Sequence, residues 1–159
     1  MTEAIERIML QIFREIGIRI IPANQTTPKP PLPYGVYNIT SAYIKDRNRG
    51  NISTYQDGEV AYEKRTEPFK MTISFNFYNE TNETTIELAM QVRRWFLFLG
   101  SDFIQEQNIA VVNVGNIENR TTFLFDSYEY KHGFDVQLRL TDEQIRAIET
   151  IEKVNIGGM

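Results

Sequence analysis

His132 is the only histidine in this sequence, and Asp126, Glu129 and Asp135 surround it. An imidazole among carboxylates is the minimal set for a weak metal site or for acid–base work. Here it lacks the rest of the machinery. No cysteine is present, so thiolate nucleophiles, disulfides and Cys-based metal sites are excluded, and no second histidine stands at metal-ligand spacing. Acidic residues between strands are ordinarily solvated. Where Lys131-His132-Gly133 form a tight turn, Gly133 simply supplies permissive backbone.

Other catalytic signatures are missing as well. The sequence contains no Gly-x-Ser-x-Gly elbow, Walker-type loop, GxGxxG or His-Glu-x-x-His pattern. An enzyme is not expected, and neither is a cofactor or a metal. A carboxylate-only hydrolase is the one catalytic class left open, because such acid pairs assemble from distant residues. Arg47, Arg49, Arg93 and Arg94, with Tyr37, Tyr43 and Tyr55, suggest a single-strand surface of basic and aromatic residues. The net charge of −4 and the scatter of the cations argue against it. Sequons occur at Asn24, Asn38, Asn51, Asn79, Asn82 and Asn119. The acidic, amphipathic start is no secretory signal, so they read as chance products of an Asn- and Thr-rich chain. No apolar run approaches the roughly 20 residues that cross a bilayer. At 159 residues and 42% apolar content, one domain with a real core is expected.

With chemistry absent, function must come from shape and assembly, and so from the elements. Ile5, Ile8, Met9, Ile12, Phe13 and Ile16 keep helical spacing between Thr2, a possible cap, and Gly17, a possible stop. A short strand, Ile18 to Ile21, follows. Asn24 to Pro33 is a stiff link with Pro28, Pro30, Pro31 and Pro33. Tyr34 to Lys45 reads as a strand and Asn48 to Asn51 as a turn. Ile52–Gln56 and Glu59–Arg65 flank Asp57-Gly58, a strong hairpin signal. This polar arm, about 45–66, is marginal alone and is either a solvated flap or a limb that docks on another chain.

The clearest pattern runs from Phe69 to Tyr78. Phe69, Met71, Ile73, Phe75 and Phe77 alternate with polar residues, as in a half-buried strand. A helix from Glu83 to Leu99 follows, with Thr84 to Glu87 as its capping box. Strand feeding helix gives an α+β plan. The end of that helix, Trp95 to Leu99, is apolar all round, which places it in the core or divides it between core and interface. Ser101 caps a short helical turn, Asp102 to Gln107. Ile109 to Val114 is a strand, Thr121 to Tyr130 is mostly extended, and Phe134 to Leu140 alternate again. Asp142 to Ile151 is read as a connecting turn or short helix, with a terminal strand from Thr150 to Ile156.

Taken in order, these segments resemble the neck or tail terminators of tailed bacteriophages and prophages. The resemblance rests on the amphipathic first helix, the link Pro28-Lys29-Pro30-Pro31-Leu32-Pro33-Tyr34-Gly35, and the alternating strand before a long helix. It rests also on the short strand Ile109 to Gly115 and on Tyr128-Glu129-Tyr130-Lys131-His132-Gly133-Phe134-Asp135-Val136. The polar arm and the C-terminal segment depart from the pattern. The resemblance implies a mixed or antiparallel sheet with two main helices on one face and a protruding hairpin arm. It implies a ring, typically of six subunits, that caps the head-proximal end of the tail tube and joins it to the head. The partners implied are copies of the chain, the tube protein and a head-completion or connector protein. DNA passes through without specific binding, and no membrane is involved. The place implied is the virion neck, assembled in the bacterial cytoplasm; the alternatives are another ring-forming tail component (a tube protein or head–tail connector) and, after it, a small ligand-binding domain of the host. No catalytic residue transfers. Pro30, Pro31, Pro33, Tyr34, Tyr55, Asp57, Gly58, Trp95 and Phe98 are the candidate subunit contacts.

Overall fold

The structure, a computed structural model, describes residues 2–24, 28–46 and 49–148. The strand expected at Thr150–Ile156 lies outside them, as does Asn48 of the expected turn.

Helix α1 spans Thr2–Ile16 and buries Ile5, Ile8, Met9 and Ile12. It stops at Gly17, whose φ of +73° lets its N–H reach the Phe13 carbonyl at 2.9 Å. Among the described residues nine strands follow in chain order: β1 (Ile20–Pro22), β2 (Tyr34–Lys45), β3 (Asn51–Asp57), β4 (Val60–Tyr78), β5 (Ala110–Val114), β6 (Glu118–Asn119), β7 (Thr122–Phe123), β8 (Tyr128–Glu129) and β9 (Lys131–Ile148). The main sheet has the order β1-β2-β4-β9-β5, with β3 also on β4 and β6 also on β9; β7 and β8 pair separately. Among the described residues only β1 against β2 is parallel, so the sheet is mixed and the class is α+β.

The alternation read in the sequence builds the core. Phe69, Met71, Ile73, Phe75 and Phe77 of β4 are buried, and so are Phe134, Val136, Leu138 and Leu140 of β9. The register sets Phe69 opposite Leu140, Met71 opposite Leu138, Ile73 opposite Val136 and Phe75 opposite Phe134. Cross-strand partners share a face, so two period-2 patterns make one apolar surface. The helices pack their apolar faces into the same cluster. Phe75 lies 5.3 Å from Phe96 and 5.6 Å from Phe134, between ring centroids. Each such side chain contributes about 2 kcal/mol by leaving water.

Helix α2 runs Asn82–Arg94 and begins earlier than its sequence signal suggests. The capping box is Thr81 with Thr84: Thr84 N–H donates to Thr81 Oγ1 at 3.1 Å, and Thr81 N–H donates to Thr84 Oγ1 at 3.2 Å. A second threonine at the third helical position serves where a Glu or Gln is usual. From Trp95 to Leu99 the helix widens into a π turn, then α3 covers Ser101–Glu106. Ser101 does not cap that helix; it is its first residue, and its hydroxyl donates to the Phe98 carbonyl at 2.7 Å.

Two further expectations are corrected. The hairpin strand Glu59–Arg65 and the strand Phe69–Tyr78 are one 19-residue strand, β4. Pro68 sits where β4 changes partners, since β3 pairs up to Thr66 and β2 resumes at Phe69; a missing donor costs the ladder least there. The turn or helix expected from Asp142 is instead strand as far as Ile148. A short helix is marginal on its own, whereas β4 offers an open edge from Ala61 to Pro68, and β9 pairs with it from Thr141 to Ile148.

Candidate functional site

The structure takes apart the only chemical cluster the sequence offered. His132 lies in β9 rather than in a turn, on the core side opposite Phe77. It is 5% exposed. Its Nε2 meets Asn82 Oδ1 at 2.9 Å, and burial holds its pKa below the ordinary value. Asp135 faces the other way, with its Oδ1 accepting from Arg120 at 3.3 Å. Asp126 is exposed in the β7–β8 turn. Among the described residues no group of His, Cys, Asp or Glu could hold a metal ion.

Arg120 instead pins a loop across the polar face of the sheet. Its guanidinium donates to Ser74 Oγ at 3.0 Å, the Phe75 carbonyl at 3.2 Å, Asn76 Oδ1 at 3.0 Å and Glu118 Oε1 at 3.0 Å. Gly133 makes this possible. A Cβ there would stand 2.1 Å from the Phe75 carbonyl oxygen and 2.8 Å from Arg120 itself. The arginines weighed as a nucleic-acid surface do not converge. Arg93 Nε donates to the Gly115 carbonyl at 2.9 Å, Arg94 and Arg49 are exposed, and Arg47 lies outside the described residues. Tyr43 donates to Glu67 Oε1 at 2.5 Å, and Arg65 bonds the same carboxylate. Those two bonds hold Glu67 below the usual carboxylate range.

What remains is surface. Beyond Phe69 the core side of β4 turns charged, with Glu67, Arg65 and Glu63 in the positions that Met71 and Ile73 hold inside. The β4 residues of this stretch are only half-buried, and β3 is exposed throughout. The arm therefore has three strands, β3, the first half of β4 and the end of β9. Glu63 accepts from Arg146 Nε at 2.7 Å, and Lys64 lies 3.4 Å from Glu143. At about 3.3 Å per residue it reaches roughly 25 Å past the core. Its turn is Gly58-Glu59, because Asp57 pairs with Val60; Gly58 holds the left-handed conformation at φ +63°. Tyr55 stacks on Tyr62, 5.3 Å between centroids.

The candidate contacts divide by burial. Pro31, Pro33, Tyr55, Asp57 and Gly58 are exposed, and Pro30 is partly so. Tyr34 is buried and stacks on Tyr78 with centroids 5.0 Å apart. Trp95 is 0% exposed and its indole N–H donates to Glu15, so it belongs to the core of its own chain. Phe98, three residues on, is 80% exposed. The π turn explains the split: Trp95 and Phe96 point in, while Leu97, Phe98 and Leu99 point out.

Two apolar surfaces escaped the sequence reading. The turn between β7 and β8 presents Phe123, Leu124 and Phe125, the last 100% exposed. Three consecutive apolar residues in a polar stretch were the available signal. The other is an open groove of about 420 Å³ between α1 and the sheet edge, lined by Met9, Leu10, Phe13, Ile20 and Tyr37, with Glu6 and Arg19 at hand. Phe13 fits the helical period as a core residue and Leu10 stands outside it; both are left exposed.

Among the described residues no helix is long and apolar enough to cross a membrane. No curated protein matches the chain. The family model of the phage neck terminator protein matches residues 2–158, and that family is one of structural virion components of the tail and neck. A fold with its candidate chemistry dispersed and its apolar and arm surfaces uncovered agrees with that match, and the chain belongs to the phage neck terminator protein family.

Proposed function

We propose that the chain is a single-domain tail terminator: its copies close into a ring on the head-proximal end of the tail tube, stop tube growth and present the surface that joins the head. The observation that carries this reading is the three-stranded arm. A sheet extension of half-buried charged residues that leaves Ile52, Tyr55, Val60 and Ile145 exposed is marginal as a free structure, and a neighbour that packs on it repays its cost. The arm lies at one end of β4, and the Phe123–Phe125 tip lies near the other, beside Leu32, Tyr34 and Tyr78. The two sheet edges lie between those ends. A subunit in a ring stacked on a tube needs two lateral surfaces and two axial ones, and this arrangement supplies both kinds. The tube protein and a head-completion protein are the axial partners in this reading. The net negative charge of the chain suits a channel through which DNA slides without sticking. The neck is built in the host cytoplasm and no catalysis is assigned to it.

Shortening the arm tests the proposal. Ser53 and Lys64 are cross-strand partners, so joining them through Asn-Gly removes residues 54–63 and keeps a two-residue hairpin. The full chain is expected to form closed rings by size-exclusion chromatography with light scattering. The shortened chain is expected to keep its circular dichroism and remain monomeric. Rings from the shortened chain would remove the arm as an essential contact.

A further inference from the structure

We infer that the exposed Leu97-Phe98-Leu99 knob of one copy seats in the α1–β1 groove of the next, so that these two surfaces are the two halves of one lateral contact. The inference rests on the ring reading and names its interface.

Position is the first argument. The groove is built on β1 and the neighbouring Tyr37, at one edge of the sheet. The knob stands at the opposite edge, where Leu97 flanks Ala110 and Val111 of β5. Both lie in the helical layer, because α1 and the π turn share one core with the same sheet face. Complementary patches on opposite edges make a heterologous contact, which closes into a ring when the rotation allows.

Shape and polarity are the second. The knob is convex and apolar, with Phe98 at 80% exposure. The groove is concave, apolar and about 420 Å³, enough for an aromatic ring with an aliphatic neighbour. A fold gains nothing from holding three consecutive large apolar residues in water, and a π turn is itself an uncommon device that is often tied to function.

Charge is the third. Arg94 and Asp102 flank the knob and are exposed. Glu6 and Arg19 line the groove, with the Arg19 guanidinium 5.2 Å from the Phe13 ring centroid. Among the described residues none of these four is in a salt bridge within its own chain. An acid and a base beside each surface let Arg94 meet Glu6 and Asp102 meet Arg19, and this fixes the direction of docking.

The absence of cysteine makes cross-linking clean. A chain carrying both Leu10→Cys and Phe98→Cys is expected, on mild oxidation at ring-forming concentration, to give a ladder of covalent oligomers. A mixture of the two single variants is expected to stop at a mixed dimer. Phe98→Asp is expected to raise the concentration needed for assembly at least about thirtyfold, as loss of an aromatic hot spot does, with unchanged circular dichroism. Phe98 is exposed, so this variant folds. Rings by light scattering without the mixed cross-link would overturn this contact and leave the ring reading standing. A chain that stays monomeric at every concentration and on isolated tails would overturn both.

Discussion

His132 looks like chemistry in the sequence and acts as a core residue in the fold. Its position on β9 matches the alternation of Phe134, Val136 and Leu138, so the strand carries it to the inner face beside Asn82. This has a pH consequence. Burial lowers its pKa in the folded chain below the ordinary value of 6.5, so the unfolded chain takes up the proton first as pH falls. Unfolding is then favoured by protons, and stability drops as pH falls below about 6.5, by at most about 1.4 kcal/mol per pH unit. Urea titrations between pH 7.5 and 5.5 are expected to show this slope in the natural chain and to lose it in His132→Gln. Glu67 acts in a lower window: its depressed pKa stabilises the fold above about 4.5 and that contribution is lost as pH falls further. The two residues therefore separate experimentally. Gly133, beside His132, was legible only as a permissive residue. The need for it is spatial: Arg120 and the Phe75 carbonyl occupy the place of a side chain.

At the scale of elements, the strands under the helices and the strands of the arm are continuous in backbone yet differ in what stabilises them. From Phe69 to Phe77 the inner positions of β4 are apolar and buried; from Ala61 to Glu67 they are largely charged and half-buried. Ladder hydrogen bonds open to water protect poorly without packing behind them. Hydrogen exchange on the monomer is therefore expected to be much faster at 51–66 and 143–148 than at 69–77 and 134–140, and to slow in the arm once rings form. Equal protection along β4 would contradict this. The arm also marks the limit of local reading. The Asp-Gly signal located a hairpin to within one residue, and the period-2 run located the core strand. The merger of the two, and the recruitment of β9 as a third arm strand, depend on an edge that exists only after the sheet has formed. The turn or helix expected from Asp142 lost for the same reason: a long ladder against β4 outweighs a few local bonds.

At the scale of the whole molecule, the same repertoire of surfaces would suit a tube subunit, and assembly decides between the readings. A heterologous contact that closes gives rings; one that does not close gives filaments. Electron microscopy of the concentrated full chain is expected to show discrete rings and no long tubes, and the same chain added to growing tubes is expected to stop their extension. Long filaments of the chain alone would favour the tube-subunit alternative. The sequence by itself determined the class and the apolar face of the sheet, because residue type and period act over short distances along the chain. It also carried the family resemblance that the match over residues 2–158 bears out. Only the tertiary structure decided which apolar residues stay outside. Trp95 and Phe98 are alike in a hydropathy pattern, as are Ile12 and Phe13, and a π turn in one case and the edge of a groove in the other separate buried from exposed. Burial is a property of what packs across from a residue, and that partner is distant in the chain or belongs to another copy.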